Sequence, residues 1–220
     1  MRIVVAEDHQ MFREVIRKVC GEFGHEVVGE AEDGPATLRV TLSTEPDLLL
    51  LDLNLPGLDG FGVVEVLRKA GLPVRVIALT SARGDYTAFR VDRAGFDGFV
   101  DKNTNSLESL RAAIEAVGSG RRYFSKSFVR MNASRKQNPG SFDKVLSDRE
   151  LSVLELIGGS LSDEEIADRL GINPKTAETH RQRIMDKLNI HGTPKLIRFA
   201  IESGFTQMTM LGDAAGPASP

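Results

Sequence analysis

Residues 48–60 read LLLLDLNLPGLDG. Four consecutive leucines suit a strand covered on both faces, as in the middle of a parallel sheet. The run ends on Asp52, and a Pro56-Gly57 turn follows. A carboxylate there is costly to bury unless a counter-charge or a metal ion meets it. The fold and the surroundings of Asp52 are therefore one question.

Around this stretch the first 120 residues alternate between two patterns. The β-rich runs are RIVVAED (2–8), EVVGEAED (26–33), DLLLLDL (47–53), VRVIALT (74–80) and GFVDK (98–102). Helical spacing relates Met11, Val15, Val19 and Phe23, then Phe61, Val64 and Leu67, then Leu107, Leu110, Ala113, Ile114 and Val117. Strands alternating with helices predict a doubly wound α/β domain over 1–120 with a five-stranded parallel sheet. Residues 121–144 read as a linker, partly helical, whose stretch ASRKQNPGSF (133–142) is polar, with a Pro-Gly pair and no apolar stripe. From 147 the strand pattern stops. Ser147-x-x-Glu150 and Ser162-x-x-Glu165 are capping boxes. Asn173-Pro174 and Thr193-Pro194 read as N-caps with proline at the first helical position. A second, all-α domain of four helices is expected over 145–205, near 148–158, 163–170, 174–188 and 194–203. The tail 206–220 is expected to be disordered.

The composition fits a globular chain of two modest domains: 220 residues, 41% hydrophobic and 27% charged. No apolar run approaches the roughly 18 residues that suggest a membrane span. The start, MRIVVAEDHQ, lacks a signal peptide's apolar core. The lone cysteine, Cys20, suits a reducing compartment, so a cytoplasmic protein without membrane association is expected. Residues 1–120 hold 13 Lys+Arg against 19 Asp+Glu, and the remainder 15 against 12. That imbalance hints at two jobs.

In an open α/β sheet, ligands bind beyond the carboxyl ends of the strands. Strand one ends in Glu7-Asp8, strand three in Asp52, strand four in Thr80 and strand five in Lys102. One rim thus gathers three carboxylates, a hydroxyl and an ammonium. Three close carboxylates call for a hard cation, and Mg2+ with oxygen ligands fits. Candidate ligands are Glu7, Asp8, Asp52 and the backbone carbonyl of Asn54. Asp52 is also the candidate nucleophile toward a phosphoryl group, with Thr80 and Lys102 placed to meet phosphoryl oxygens.

The set Glu7-Asp8, Asp52, Thr80, Phe99 and Lys102 resembles a response-regulator receiver domain, over residues 1 to about 120. The resemblance implies a flavodoxin-like fold and phosphate transfer to Asp52 from a sensor histidine kinase. It also implies that Thr80 and Phe99 couple phosphorylation to one face of the domain, with Phe99 packing inward as Thr80 moves. Two residues depart from the pattern. Glu7 stands where aspartate is commoner, and Asn103 follows Lys102 where many receivers carry proline. Haloacid-dehalogenase-like phosphatases also form an aspartyl phosphate, but they resemble D-x-D. Here Asp52-Leu53-Asn54 puts an amide at the acid–base position, which favours a stored phosphate over enzymatic turnover.

Gly171-Ile172-Asn173 joins the second and third expected helices of the C-terminal domain, a helix-turn-helix signal. Ala177, Ile184 and Leu188 give the third helix its core stripe. Its other face carries Lys175, Glu178, Thr179, Gln182 and Arg183, side chains able to meet base edges and phosphates. The segment with Glu165-Ile166-Ala167, Leu170, Lys175-Thr176, His180, Ile184 and Lys187-Leu188 resembles a LuxR-type DNA-binding domain. Fused to a receiver, it is identified as a member of the NarL/FixJ family of response regulators. The resemblance implies promoter DNA in contact with Lys175, Thr176, Glu178, Thr179, His180, Gln182, Arg183 and Lys187, with Glu178, Thr179 and Gln182 reading bases. It also implies a homodimer when phosphorylated or on DNA. The alternative is an atypical receiver acting without phosphorylation or through protein–protein output.

Overall fold

The computed structural model describes residues 1–81, 84–103 and 106–205. The chain divides into two compact units, Met1–Ala82 with Arg90–Arg130, and Arg83–Phe89 with Met131–Pro220. The expected disordered tail, 206–220, lies outside the described residues.

The sheet is parallel and ordered β2-β1-β3-β4-β5-β6. Its strands are β1 (Arg2–Ala6), β2 (Glu26–Ala31), β3 (Leu48–Leu51), β4 (Arg75–Thr80), β5 (Gly98–Asp101) and β6 (Tyr123–Phe124). The helices interleaved with them are α1 (Gln10–Glu22), α2 (Gly34–Thr44), α3 (Gly60–Lys69), α4 (Asp85–Ala94) and α5 (Leu107–Gly118). Alternate strand residues, Ile3, Val5, Leu48, Leu50, Ile77, Leu79 and Val100, pack with Ile16, Val19 and Cys20 of α1 and Leu110, Ala113, Ile114 and Val117 of α5. Their neighbours Val4, Leu49, Leu51, Val76 and Ala78 are also buried. Both faces are covered, so the LLLL run has no solvated side and needs no alternation.

The expectation of five strands is corrected to six. The added strand is two residues long and pairs Gly98 with Tyr123 at the sheet edge, too short to show a period. Residues 133–137 belong to helix α6 (Lys126–Gln137). A buried arginine fixes that segment: Arg135 is 3% exposed and pairs with Asp143 and Asn132. An arginine in a polar run gives no hint that it will be buried.

The second unit holds α7 (Phe142–Val145), α8 (Asp148–Gly158), α9 (Asp163–Leu170), α10 (Pro174–Leu188) and α11 (Thr193–Glu202). Both capping boxes form as expected. Asn173 accepts the Lys175 N–H at 2.9 Å, with Pro174 in the first turn. Gly171 ends α9 at φ +62°, a left-handed position that suits a residue without a Cβ. The Thr193 cap is corrected. Gly192, which has no side chain to accept a bond, is the N-cap, and Thr193 is already helical. Leu154, Ile157, Ile166, Ala177, Ile184, Leu196 and Ala200 form the core. Ile201 on α11 stays 37% exposed, so only part of that helix's apolar stripe is used within the unit.

The two capping boxes differ in burial. Glu150 is 4% exposed, whereas Glu165 faces solvent. Ser162→Ala should cost about 1 kcal/mol, the ordinary loss of an N-cap. Ser147→Ala should cost more, because it also removes a hydroxyl donor from a buried carboxylate, a loss of about 1–3 kcal/mol. Urea unfolding of the two variants measures the difference, and equal losses would contradict it.

Candidate functional site

The parallel register sets the rim. Ala6 lies beside Leu51, Leu51 beside Ala78, and Thr80 beside Asp101. Glu7, Asp52 and Lys102, each one residue beyond a strand, therefore converge with Thr80 at the same end of the sheet. Backbone bonds extend the pairing past the strands. The Asp52 N–H donates to the Ala6 carbonyl at 2.9 Å, and the Lys102 N–H to that of Thr80 at 3.0 Å. Gly60 closes the base of the site: a Cβ there would lie 2.6 Å from the Asp52 carbonyl oxygen. The first turn of α3 thus passes the strand end where only glycine fits.

Lys102 links the carboxylates. Its ammonium donates to Asp52 Oδ2 at 2.6 Å and also to Glu7 Oε2. The other oxygen of Asp52 accepts the Asn54 N–H at 3.1 Å. Lys102 also lies 4.8 Å from the centre of the Phe12 ring. Glu7, Asp52 and Thr80 are almost wholly buried, whereas Asp8 is half-buried and Asn54 exposed. Burial pushes the Glu7 carboxyl above the usual carboxylate range. Lys102 opposes the rise and Asp52 adds to it.

Sequence inspection missed His9, whose imidazole stands 2.8 Å from Asp8 Oδ1. That hydrogen bond raises the imidazole's pKa. Glu7, Asp8 and His9 bring one ligand atom each to within 4.8 Å of one another. Phe99 is fully buried, with its ring 5.0 Å from that of Phe128 on α6.

In the second unit, Lys175, Glu178, Thr179, Gln182 and Arg183 line one shallow depression along α10. Lys175 pairs with Glu178 at 2.7 Å, and the Gln182 amide donates to Asp186 at 2.9 Å. Thr176 is exposed and His180 half-buried. His180 Nδ1 is buried and makes no hydrogen bond, so its other nitrogen is the one left for a ligand. Lys187 has a different setting from the expected DNA contact. Its ammonium lies 2.7 Å from the buried Glu150. Burial pushes the Glu150 carboxyl up, but Lys187 and the donors of Ser147 outweigh it, and the net shift is downward. Arg181 similarly ties α10 to Asp163 of α9 at 2.8 Å. Both pairings cross many residues, so helical periodicity gave no signal for them.

The raised pKa of Glu7 has a defined sign. A carboxyl whose pKa rises on folding favours the folded state when protonated. Its contribution is full below the ordinary value of 4.5 and is lost as pH climbs through the folded-state pKa. In metal-free protein, the unfolding free energy of wild type relative to Glu7→Gln should therefore fall across that window. Urea unfolding from pH 4 to pH 8 tests this, and a flat or rising difference contradicts it.

The response regulator receiver domain model matches residues 3–115, and the bacterial regulatory proteins, luxR family model matches residues 144–200. The virulence-factor transcription regulator BvgA of Bordetella pertussis is 35% identical over 202 residues, covering 90% of this chain and 96% of its own. RcsB from Salmonella enterica serovar Typhimurium, bound to promoter rprA in the presence of the phosphomimetic BeF3−, superposes with a TM-score of 0.68. It is 25% identical and covers 90% of this chain and 97% of its own. A structure of two RcsB dimers bound to two parallel DNAs gives a TM-score of 0.63 at 25% identity, covering 92% of this chain and 98% of that one.

Proposed function

The chain belongs to the NarL/FixJ response regulators, which join a receiver to a LuxR-type helix-turn-helix domain, and on that premise we propose that phosphorylation of Asp52 controls its binding to promoter DNA. The observation that carries the proposal is the convergence of Glu7, Asp52 and Lys102 at one buried rim. Three carboxylates, counting Asp8, face one ammonium there. The surplus negative charge and the all-oxygen donor set suit a divalent cation. Asp8, Asp52 and the Asn54 carbonyl would hold Mg2+, with Glu7 nearer a bridging water. Bound there, Mg2+ would neutralise charge on the phosphoryl oxygens.

The chain's own residues do the rest. Lys102 and the Asn54 N–H orient the Asp52 carboxylate. One carboxylate oxygen attacks the phosphorus of a phosphohistidine on the sensor kinase. The bond from phosphorus to the histidine nitrogen breaks, and an acyl phosphate forms on Asp52. Thr80 donates to one phosphoryl oxygen and Lys102 pairs with another. With an amide at Asn54 and no acid–base partner there, the phosphate is stored rather than turned over, so the protein is a switch and not an enzyme.

In the second unit α10 is the recognition helix. Glu178, Thr179 and Gln182 read base edges, Glu178 accepting from a cytosine amino group and Gln182 pairing with adenine. Lys175, Thr176, His180 and Arg183 meet phosphates. Lys187 acts from behind, locking α10 to α8 through Glu150. Two copies of the chain on a two-fold site, with half-sites about ten base pairs apart, would bind with avidity beyond that of either alone. A protein that binds promoters works beside the chromosome, in the cytoplasm.

Incubating the full chain with acetyl phosphate and Mg2+, then mapping the label by mass spectrometry, should find an acyl phosphate on Asp52 alone. Labelling should disappear in Asp52→Asn, and DNA affinity should rise only in the labelled wild type. Undiminished labelling of Asp52→Asn would overturn the assignment.

A separate test concerns sequence preference. Gln182→Ala should cost about 1–3 kcal/mol of discrimination at one base pair, read by selecting sites from a random DNA pool. An unchanged preferred site would contradict its role.

A further inference from the structure

Residues 1–115 hold 13 Lys+Arg against 19 Asp+Glu. The next stretch, 116–142, holds six lysines and arginines and no acid at all. Of the six, Arg135 is buried against Asp143. Arg121 and Arg122 lie just before β6, and Lys126 and Arg130 lie one turn apart on α6. All four are exposed. Among the described residues, none of the four meets a carboxylate. Arg121 reaches only the Ser119 hydroxyl, and Arg130 the Lys126 carbonyl.

Two features set this stripe apart from ordinary solvated charge. Sheet edges do carry cations to block pairing with other chains, and β6 is an edge strand. Edge protection does not call for Lys126 and Arg130 at helical spacing i, i+4, where like charges cost stability. The recognition helix, meanwhile, has little free positive charge. Lys175 is paired with Glu178, Arg181 with Asp163 and Lys187 with Glu150. Among the described residues Arg183 is the one α10 cation without a carboxylate partner. Neutralised phosphates supply a large share of DNA affinity, and the α10 cations left to supply it are Arg183 and Lys175, the latter shared with Glu178.

We propose that Arg121, Arg122, Lys126 and Arg130 form a second phosphate-binding surface that engages the DNA backbone, supplying affinity while α10 supplies sequence preference. The proposal rests on the DNA-binding function argued above. The occupant is double-stranded DNA because the stripe fits a polyanion and shares one chain with a helix that reads it. Covalent linkage makes the second contact intramolecular once the first has formed.

The test measures binding of the full chain to a fluorescent duplex of arbitrary sequence over a series of KCl concentrations. Replacing all four residues, as R121Q/R122Q/K126Q/R130Q, should lower the slope of log K against log salt by about one per side chain, or roughly three to four in all. The charge-keeping variant R121K/R122K/R130K should retain the wild-type slope. Phosphorylation of Asp52 by acetyl phosphate should persist in both variants, showing that the receiver is folded. A wild-type slope in the glutamine variant, with wild type binding the duplex, overturns this inference alone. Loss of heparin binding with an unchanged duplex slope also overturns it and assigns the stripe to another polyanion. If wild type binds no duplex at any salt concentration, the DNA-binding function falls and this inference with it.

Discussion

Everything at the sheet's rim depends on Lys102 reaching Glu7 and Asp52 at once. Both carboxylates are nearly inaccessible to water, and removing one partner from a buried ion pair leaves an uncompensated charge. One ammonium answers two of the three acids, so the site keeps a negative surplus. That surplus is what a dication, and then a phosphoryl group carrying its own negative charge, can exchange against. The lysine is what holds the two buried carboxylates together.

The second unit solves a similar problem. Glu150, needed to cap α8, is buried and answered by Lys187, which comes from the last turn of α10. In both units a lysine distant in sequence meets a buried carboxylate, and in both the pairing fixes the functional element. Lys102 orients Asp52, and Lys187 seats the recognition helix. Arg121, Arg122, Lys126 and Arg130, by contrast, are exposed and meet no carboxylate among the described residues.

The apolar sequence pattern carried most of the architecture. LLLL, the alternating strands and the two Ser-x-x-Glu boxes act through local spacing, and their elements form where that spacing places them. The rim residues were legible because a parallel sheet brings strand ends together whatever the side chains are. What stayed hidden depends on partners far along the chain. The Lys187–Glu150 pair was invisible because only Lys187's own helix face could be read, and Glu150 lies 37 residues away. Arg135 read as part of a polar connector because burial of an arginine is decided by Asp143 and the fold around it. The packing of Phe128 against Phe99 joins residues far apart in the chain, so local spacing did not announce it. The two-residue β6 was too short for any period to appear.

The charge balance at the rim is tested most directly by calorimetric titration of Mg2+ into Lys102→Met. Methionine keeps the length and apolar stem of the side chain but removes the ammonium between Glu7 and Asp52. The positive charge that competes with the cation is gone, and Mg2+ should bind more tightly than in wild type. Unchanged or weaker binding would show that Lys102 does not set the charge of the site, and would contradict the account.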